Sequence, residues 1–221
     1  MKKKNQIHAI LHNIPNEINV PTEKELMDCE KGLPNNQWDT LKNFVKSSNQ
    51  SEESFHEQKF AVSNALCSIK SYAQQFGPDS NVHVKNTIVH GCPGSGKSYI
   101  GGYVCLAAIS LGLRLMTTAL MATRANMLGG IHLHRLFCLP IQRIQNTYRI
   151  AEIAITKLNR SSNIKCLYFI LTMDMLMIDE IGQLSAQQID VIDIILRNIR
   201  ETSIPFGGVH ILGMYNIYTC M

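Results

Sequence analysis

The segment Gly91-Cys92-Pro93-Gly94-Ser95-Gly96-Lys97-Ser98 has the spacing G-x-x-x-x-G-K-[ST], and every fixed position in it has a chemical reason. Glycines let successive backbone N–H groups wrap a chain of phosphates, and a helix starting at Lys97 would point its N-terminal dipole at the same anion. Lys97 is then the cation for the β and γ phosphates of ATP, and the Ser98 hydroxyl is a ligand for Mg2+. A second segment, Leu176-Met177-Ile178-Asp179-Glu180, is an apolar strand that ends in two acids. Asp179 suits the magnesium ion, through water or Ser98, and Glu180 suits the water that attacks the γ phosphate. Lys97 and Glu180 are therefore the catalytic candidates. Asp179 to Gly182 also fits D-x-x-G, a pattern of GTP hydrolases, but no N-K-x-D segment follows to read guanine, which favours ATP.

Two softer signals accompany these. Gln58 carries an amide that can pair with both the N6 donor and the N7 acceptor of adenine, and it is equally readable as a surface glutamine on a helix. His132 and His134 lie close to Cys138, yet i, i+2 spacing without a second cluster is poor metal-ligand geometry, so packing or phosphate contact is expected of them. The methionines, including Met173, Met175 and Met177, read as core filler.

The elements that must position these residues alternate. Apolar positions at helical spacing predict a helix over 55–76, stopped by Gly77-Pro78. A strand over 87–90 leads into the glycine-rich turn, followed by a helix from about Lys97 to Leu111, stopped by Gly112, and a strand over 113–117. Residues 119–137 read as a loop or short helix around Gly129-Gly130, and 141–160 as a helix. After the strand at 175–178, Ser185 is placed as N-cap of an amphipathic helix. Ile189, Ile192, Leu196 and Ile199 lie on one face of it, and Asp193 pairs with Arg197 four residues on. A last strand covers 209–212. This alternation predicts an α/β fold with a mainly parallel sheet covered on both faces, over 55–221. Residues 1–54, polar and closed by the run Ser47 to Ser54, read as a loosely structured extension and linker.

At 221 residues, 45% hydrophobic and 17% charged, the composition is that of a globular protein with one main core. The seven cysteines include no C-x-x-C pair, so neither a disulfide framework nor a zinc site is indicated and a reducing compartment fits. The basic tip at Lys2-Lys3-Lys4 is followed by no unbroken apolar stretch, which argues against a secretory signal. The apolar run Tyr99 to Leu113 is shorter than the roughly 20 residues of a membrane span and reads as a buried helix. Net charge is +4 but uneven. Between 114 and 165, Arg114, Arg124, Arg135, Arg143, Arg149, Lys157, Arg160 and Lys165 face a single acid, Glu152, so this stretch is either a surface for phosphates or a solvated face.

The order GCPGSGKS, then Thr117 to Phe137, then LMIDEIGQLSAQQIDVIDIILRNIR (Leu176 to Arg200), then PFGGVHIL (Pro205 to Leu212) resembles the Pif-type DNA helicases of superfamily 1, including the helicase parts of some rolling-circle transposons. The resemblance spans about Phe55 to Leu212. It implies a RecA-like phosphate-loop domain and an ATP-driven, magnesium-dependent motor moving 5′ to 3′ on single-stranded DNA, with roles in repair, recombination and telomere maintenance. It also implies an intracellular address, nuclear or mitochondrial. In such helicases the segment after the second strand meets the DNA backbone, so Thr117, Thr118, Gly129, Gly130, His132 and His134 become DNA-side residues, joined by Arg124 and Arg135 of the basic stretch.

The sequence departs from the family where a glutamine that senses the γ phosphate is expected, since GMYNIYTCM stands after the last strand. The resemblance further implies a second motor half, carrying an arginine for the transition state, in the same or a partner chain. The expectation is that this polypeptide by itself binds nucleotide and does not unwind. Two other readings stay open: a stand-alone ATPase or nucleotide switch that does not act on DNA, and a non-catalytic nucleic-acid-binding remnant.

Overall fold

The computed structural model describes residues 37–47, 52–74, 86–140 and 145–216. Five strands are built from them: β1 (Thr87–Gly91), β2 (Leu115–Ala119), β3 (Ile131–His132), β4 (Met175–Asp179) and β5 (His210–Asn216). They form one sheet in the order β1-β5-β4-β2-β3, and every pairing is parallel. This is the predicted α/β architecture. The helices are α1 (Gln37–Ser47), α2 (Glu52–Gln74), α3 (Lys97–Ser110), α4 (Ala122–Met127), α5 (Leu133–Leu136), α6 (Thr147–Leu158), α7 (Ile164–Thr172) and α8 (Ala186–Ile199).

Alternation along the strands divides the core into two layers. Met175 and Met177 of β4, with Leu212 and Met214 of β5, face a cluster made with α1, α2 and α3. Leu176, Ile178 and Ile211 face the opposite cluster, made with α5 to α8. The run read as a buried helix is α3, apolar on all sides because the sheet covers one face and α1 and α2 the other. Its Gly101 and Gly102 set those distances. A Cβ at Gly101 would lie 2.8 Å from the Met177 methyl, and one at Gly102 would lie 3.1 Å from the Phe44 ring.

Several element boundaries differ from expectation for local reasons. The extension is not loosely structured throughout, because α1 forms within it and buries Leu41 and Val45 against α3. Full burial of each is worth about 1.5–3 kcal/mol, a signal that a few apolar residues in a polar stretch did not reveal. Strand β2 starts at Leu115 rather than 113, because the Leu113 N–H still closes the end of α3 on Ala108 O at 3.1 Å, beside Gly112. Helix α7 was not anticipated, since its apolar sequence runs on into β4 and hides where one period ends and the other begins. The predicted helix over 141–160 is observed over Thr147–Leu158, and 141–144 and 75–76 lie outside the described residues. Helix α8 starts on the expected Ser185, in a reciprocal capping box with Gln188.

Since all strands run the same way, their C-terminal ends lie along one edge. Register fixes this: Gly91 stands beside Asn216, and Ala119 beside Asp179. β5 separates β1 from β4, so the two acids end about 10 Å across the sheet from the glycine-rich turn.

Candidate nucleotide site

At that edge the loop after β1 turns into α3. Gly94 and Gly96 take φ of 80° and 79°, left-handed values that glycine adopts without strain, and Gly96 is the N-cap. Lys97 is buried, 7% exposed, and its ammonium donates to Cys92 O and, at 3.2 Å, to Ser95 Oγ. The cation is thus held over the loop whose N–H groups form the anion cradle. Gln58 of α2 reaches the same loop, donating to Ser95 O at 3.1 Å, while its Oε1 is buried with no partner among the described residues. One half of the amide braces the loop and the other is left as an acceptor, which is the half that an exocyclic amine of a base would need.

The acids end β4 in an unusual backbone. Asp179 is 2% exposed. Its Oδ1 accepts the Glu180 N–H at 3.2 Å, and its Oδ2 is buried without a partner among the described residues. Burial pushes the Asp179 carboxyl up from its ordinary range; Arg124 opposes this, Glu180 adds to it, and Lys97 opposes it more weakly than Arg124. Glu180 has φ 58° and ψ 41°, a left-handed conformation that costs a non-glycine residue roughly 1–2 kcal/mol. The local strain is held by Gln183, whose amide donates to Glu180 Oε2 at 2.8 Å and whose N–H donates to Glu180 O at 2.9 Å. Gly182 is required beside it, because any Cβ would overlap the Tyr215 ring. Glu180 thus holds a strained backbone beside a cleft.

Pro93, Gly94, Gly96, Lys97, Ser98, Asp179 and Glu180 line one cavity of about 490 Å³, with Tyr99, Arg124, Met214 and Asn216 completing its wall. The sequence-derived loop and acid residues are therefore brought together. Asn216 and Met214 were missed because the last strand was read to end at Leu212, whereas β5 continues to Asn216. A buried carboxylate oxygen without a donor, facing a serine at the head of α3, fits an oxygen-ligated divalent cation such as magnesium.

The DNA-side set is sorted differently. Thr117 and Thr118 are fully buried, and their hydroxyls donate to Leu128 O and Met177 O, both at 2.9 Å, so they brace β2 and cannot meet a polyanion. Gly130 packs directly over Thr117, where a Cβ would overlap the Thr117 carbonyl. Gly129, His132 and His134 are partly exposed and Arg135 is exposed. His132 Nε2 bonds Leu120 O at 2.7 Å, and the Gln188 amide lies 3.4 Å from His134 Nε2. Burial, then His132, lowers the His134 pKa and favours neutral imidazole. Among the described residues no group of three or more His, Cys, Asp or Glu is placed to hold a metal.

The basic stretch is not one patch. Arg114 pairs with Asp174 at 3.5 Å at the opposite edge of the sheet, Arg149 pairs with Glu152 at 2.7 Å on the exposed face of α6, and Arg124 lines the cavity of Lys97 and Asp179. Arg143 lies outside the described residues. No described helix is long and apolar enough to cross a membrane.

The sequence pattern of the PIF1-like helicases matches residues 72–214. Among solved structures, the Pif1 helicase from Candida albicans is 21% identical over 75% of this chain and 32% of its own, with a TM-score of 0.56, which shows the fold. A Bacteroides Pif1 solved bound to ssDNA is 25% identical over 69% of this chain and 32% of its own, with a TM-score of 0.48. The unliganded Bacteroides protein is 28% identical over 67% and 30%, also at 0.48. The chain thus spans about a third of the length of the solved relatives it matches. No curated protein matches it significantly.

Proposed function

Because the chain belongs to the PIF1-like helicase family, we propose that its cavity binds ATP with magnesium and hydrolyses it, as the nucleotide half of a DNA-translocating motor. The observation that carries this is the meeting, at one sheet edge, of the Gly91–Ser98 loop with a buried Asp179 whose Oδ2 has no partner and with a strained Glu180. Backbone N–H groups of residues 94–98 bind phosphate oxygens, and Lys97 leaves Cys92 O to meet the β and γ phosphates. Ser98 and Asp179 would hold the magnesium ion, which supplies charge neutralisation across the β and γ phosphates. Glu180 accepts a proton from water as that water attacks phosphorus, and Gln183 fixes the carboxylate that does so. The Gln58 Oε1 is offered to the adenine amine.

The DNA half of the proposal rests on family membership and on the segment from Gly129 to Arg135, which begins one strand away from Asp179. Arg135, exposed on α5, is its phosphate-contacting side chain, and His132 and His134 stand beside it. Translocation needs a second motor half that closes on the nucleotide, in the same polypeptide or a partner, and service in repair or recombination belongs to that assembly. The test is ATP hydrolysis with magnesium, with and without single-stranded DNA, with Glu180→Gln as control. A rate that depends on Glu180 and rises with DNA is expected. Turnover indifferent to DNA would leave a nucleotide switch, and absence of ATP binding would overturn the reading.

A further inference from the structure

Arg124 is the described arginine that lines the cavity of Lys97 and Asp179. Arg114, Arg149 and Arg197 are paired with acids, and Arg200 bonds four main-chain carbonyls. Arg135 and Arg160 are exposed to solvent. Arg124 is half-buried and, among the described residues, has neither a hydrogen bond nor an ion pair. A guanidinium partly removed from water without an acceptor is unfavourable unless a ligand supplies one. It faces Lys97, Ser98, Asp179 and Glu180 across the same cavity.

We propose that Arg124 is a second cation for the terminal phosphate of a bound nucleoside triphosphate, entering from the β2 side while Lys97 enters from the loop. This rests on the ATP-binding reading and adds to it how the site separates triphosphate from diphosphate. A triphosphate beside two carboxylates brings more negative charge than one lysine offsets, and the planar guanidinium suits two phosphate oxygens at once. The side chain also sits on a stiff piece of chain. Ala125, its neighbour, is buried and its carbonyl accepts the Gly130 N–H at 2.8 Å, while Thr117 is tied to Leu128. Pulling Arg124 onto a phosphate therefore pulls on the segment carrying Gly129, Gly130 and His132. Loss of the terminal phosphate releases it.

The experiment uses the full 221-residue chain with magnesium and compares affinities for a fluorescent non-hydrolysable ATP analogue and for fluorescent ADP in wild type, Arg124→Ala, Arg124→Gln and Arg124→Lys. Arg124→Ala is expected to weaken the triphosphate about tenfold or more, the size of a lost charge-assisted bond, with ADP affinity within about twofold. Arg124→Lys should recover part of the loss, and Arg124→Gln, neutral and similar in volume, gives the same readout should the alanine variant not fold. Equal weakening of both nucleotides, or no weakening of either, overturns the inference, as does a loss confined to single-stranded DNA binding without nucleotide. If wild type binds neither nucleotide, the ATP-binding reading falls and this inference with it; if wild type binds and Arg124→Ala binds equally well, this inference falls alone.

Discussion

The two edges of the sheet are built on opposite plans. At the C-terminal edge, polar groups are buried and left open: among the described residues Asp179 Oδ2 and Gln58 Oε1 have no hydrogen-bond partner, and Arg124 makes no ion pair. At the N-terminal edge almost everything is closed. Arg200 donates from Nε to Gly207 O at 2.7 Å and from Nη1 to Ile170 O, Leu171 O and Met173 O. Tyr72 donates to Gly208 O at 2.8 Å, and the Asn86 side-chain Oδ1 accepts the Ile211 N–H at 3.0 Å. Asp193 holds both Arg197 and the Phe206 N–H, so a pair predicted as helix decoration also pins the turn into β5. One edge, apart from the buried His210 Nδ1, satisfies itself and carries stability. The other leaves buried polar atoms unpaired, as a binding site does and a core does not.

The comparison breaks most sharply if a change at one edge acts like a change at the other. Glu180→Gln should lower ATP turnover by about 10²–10⁴-fold and leave the unfolding midpoint unchanged, as read by steady-state hydrolysis and chemical denaturation. Arg200→Ala should do the reverse, costing about 2–4 kcal/mol by stranding carbonyls that lose a charged donor, while the surviving folded protein binds ATP as wild type. Acid sharpens the contrast further. His210 is fully buried at the closed edge, and desolvation lowers its pKa to about 4. Its imidazole stays neutral in the fold, so the unfolded chain takes up a proton first; stability therefore falls as pH drops from about 6.5 to about 4, by at most roughly 3 kcal/mol. His210→Gln should flatten that part of a denaturation series. At the open edge the sign is set by Asp179, whose raised pKa means that it protonates sooner than an ordinary carboxylate as pH falls. Magnesium-dependent nucleotide binding should weaken over a window above the usual carboxylate range, as titration calorimetry would show. The smallest effect is Tyr72→Phe, about 1 kcal/mol for one hydrogen bond to Gly208, with no change in turnover.

Much of the site was legible because its residues are contiguous. The loop and the acid pair each carry their spacing within a few positions, and backbone chemistry ties that spacing to phosphate and magnesium. Ser185 and the Asp193–Arg197 pair were legible for the same reason, being helical neighbours. The basic stretch misled, since positions close in sequence from Arg114 to Arg149 are sent by β2 and its helices to opposite edges and a solvent face. Thr117 and Thr118 misled similarly: their place in the family motif points to DNA, but a central strand buries both hydroxyls.

The sequence by itself determined the glycine-rich loop motif, the acid pair that ends β4, the alternating parallel architecture and the family, all of which are encoded by local spacing. Only the tertiary structure decided that Arg124 and Asn216 line the same cavity as Lys97, Asp179 and Glu180. It likewise decided that Gln58 braces the loop and that Arg200 seals the far edge. These depend on which strand lies beside which, and parallel pairing between segments far apart in the chain leaves no periodic trace in the sequence of either one.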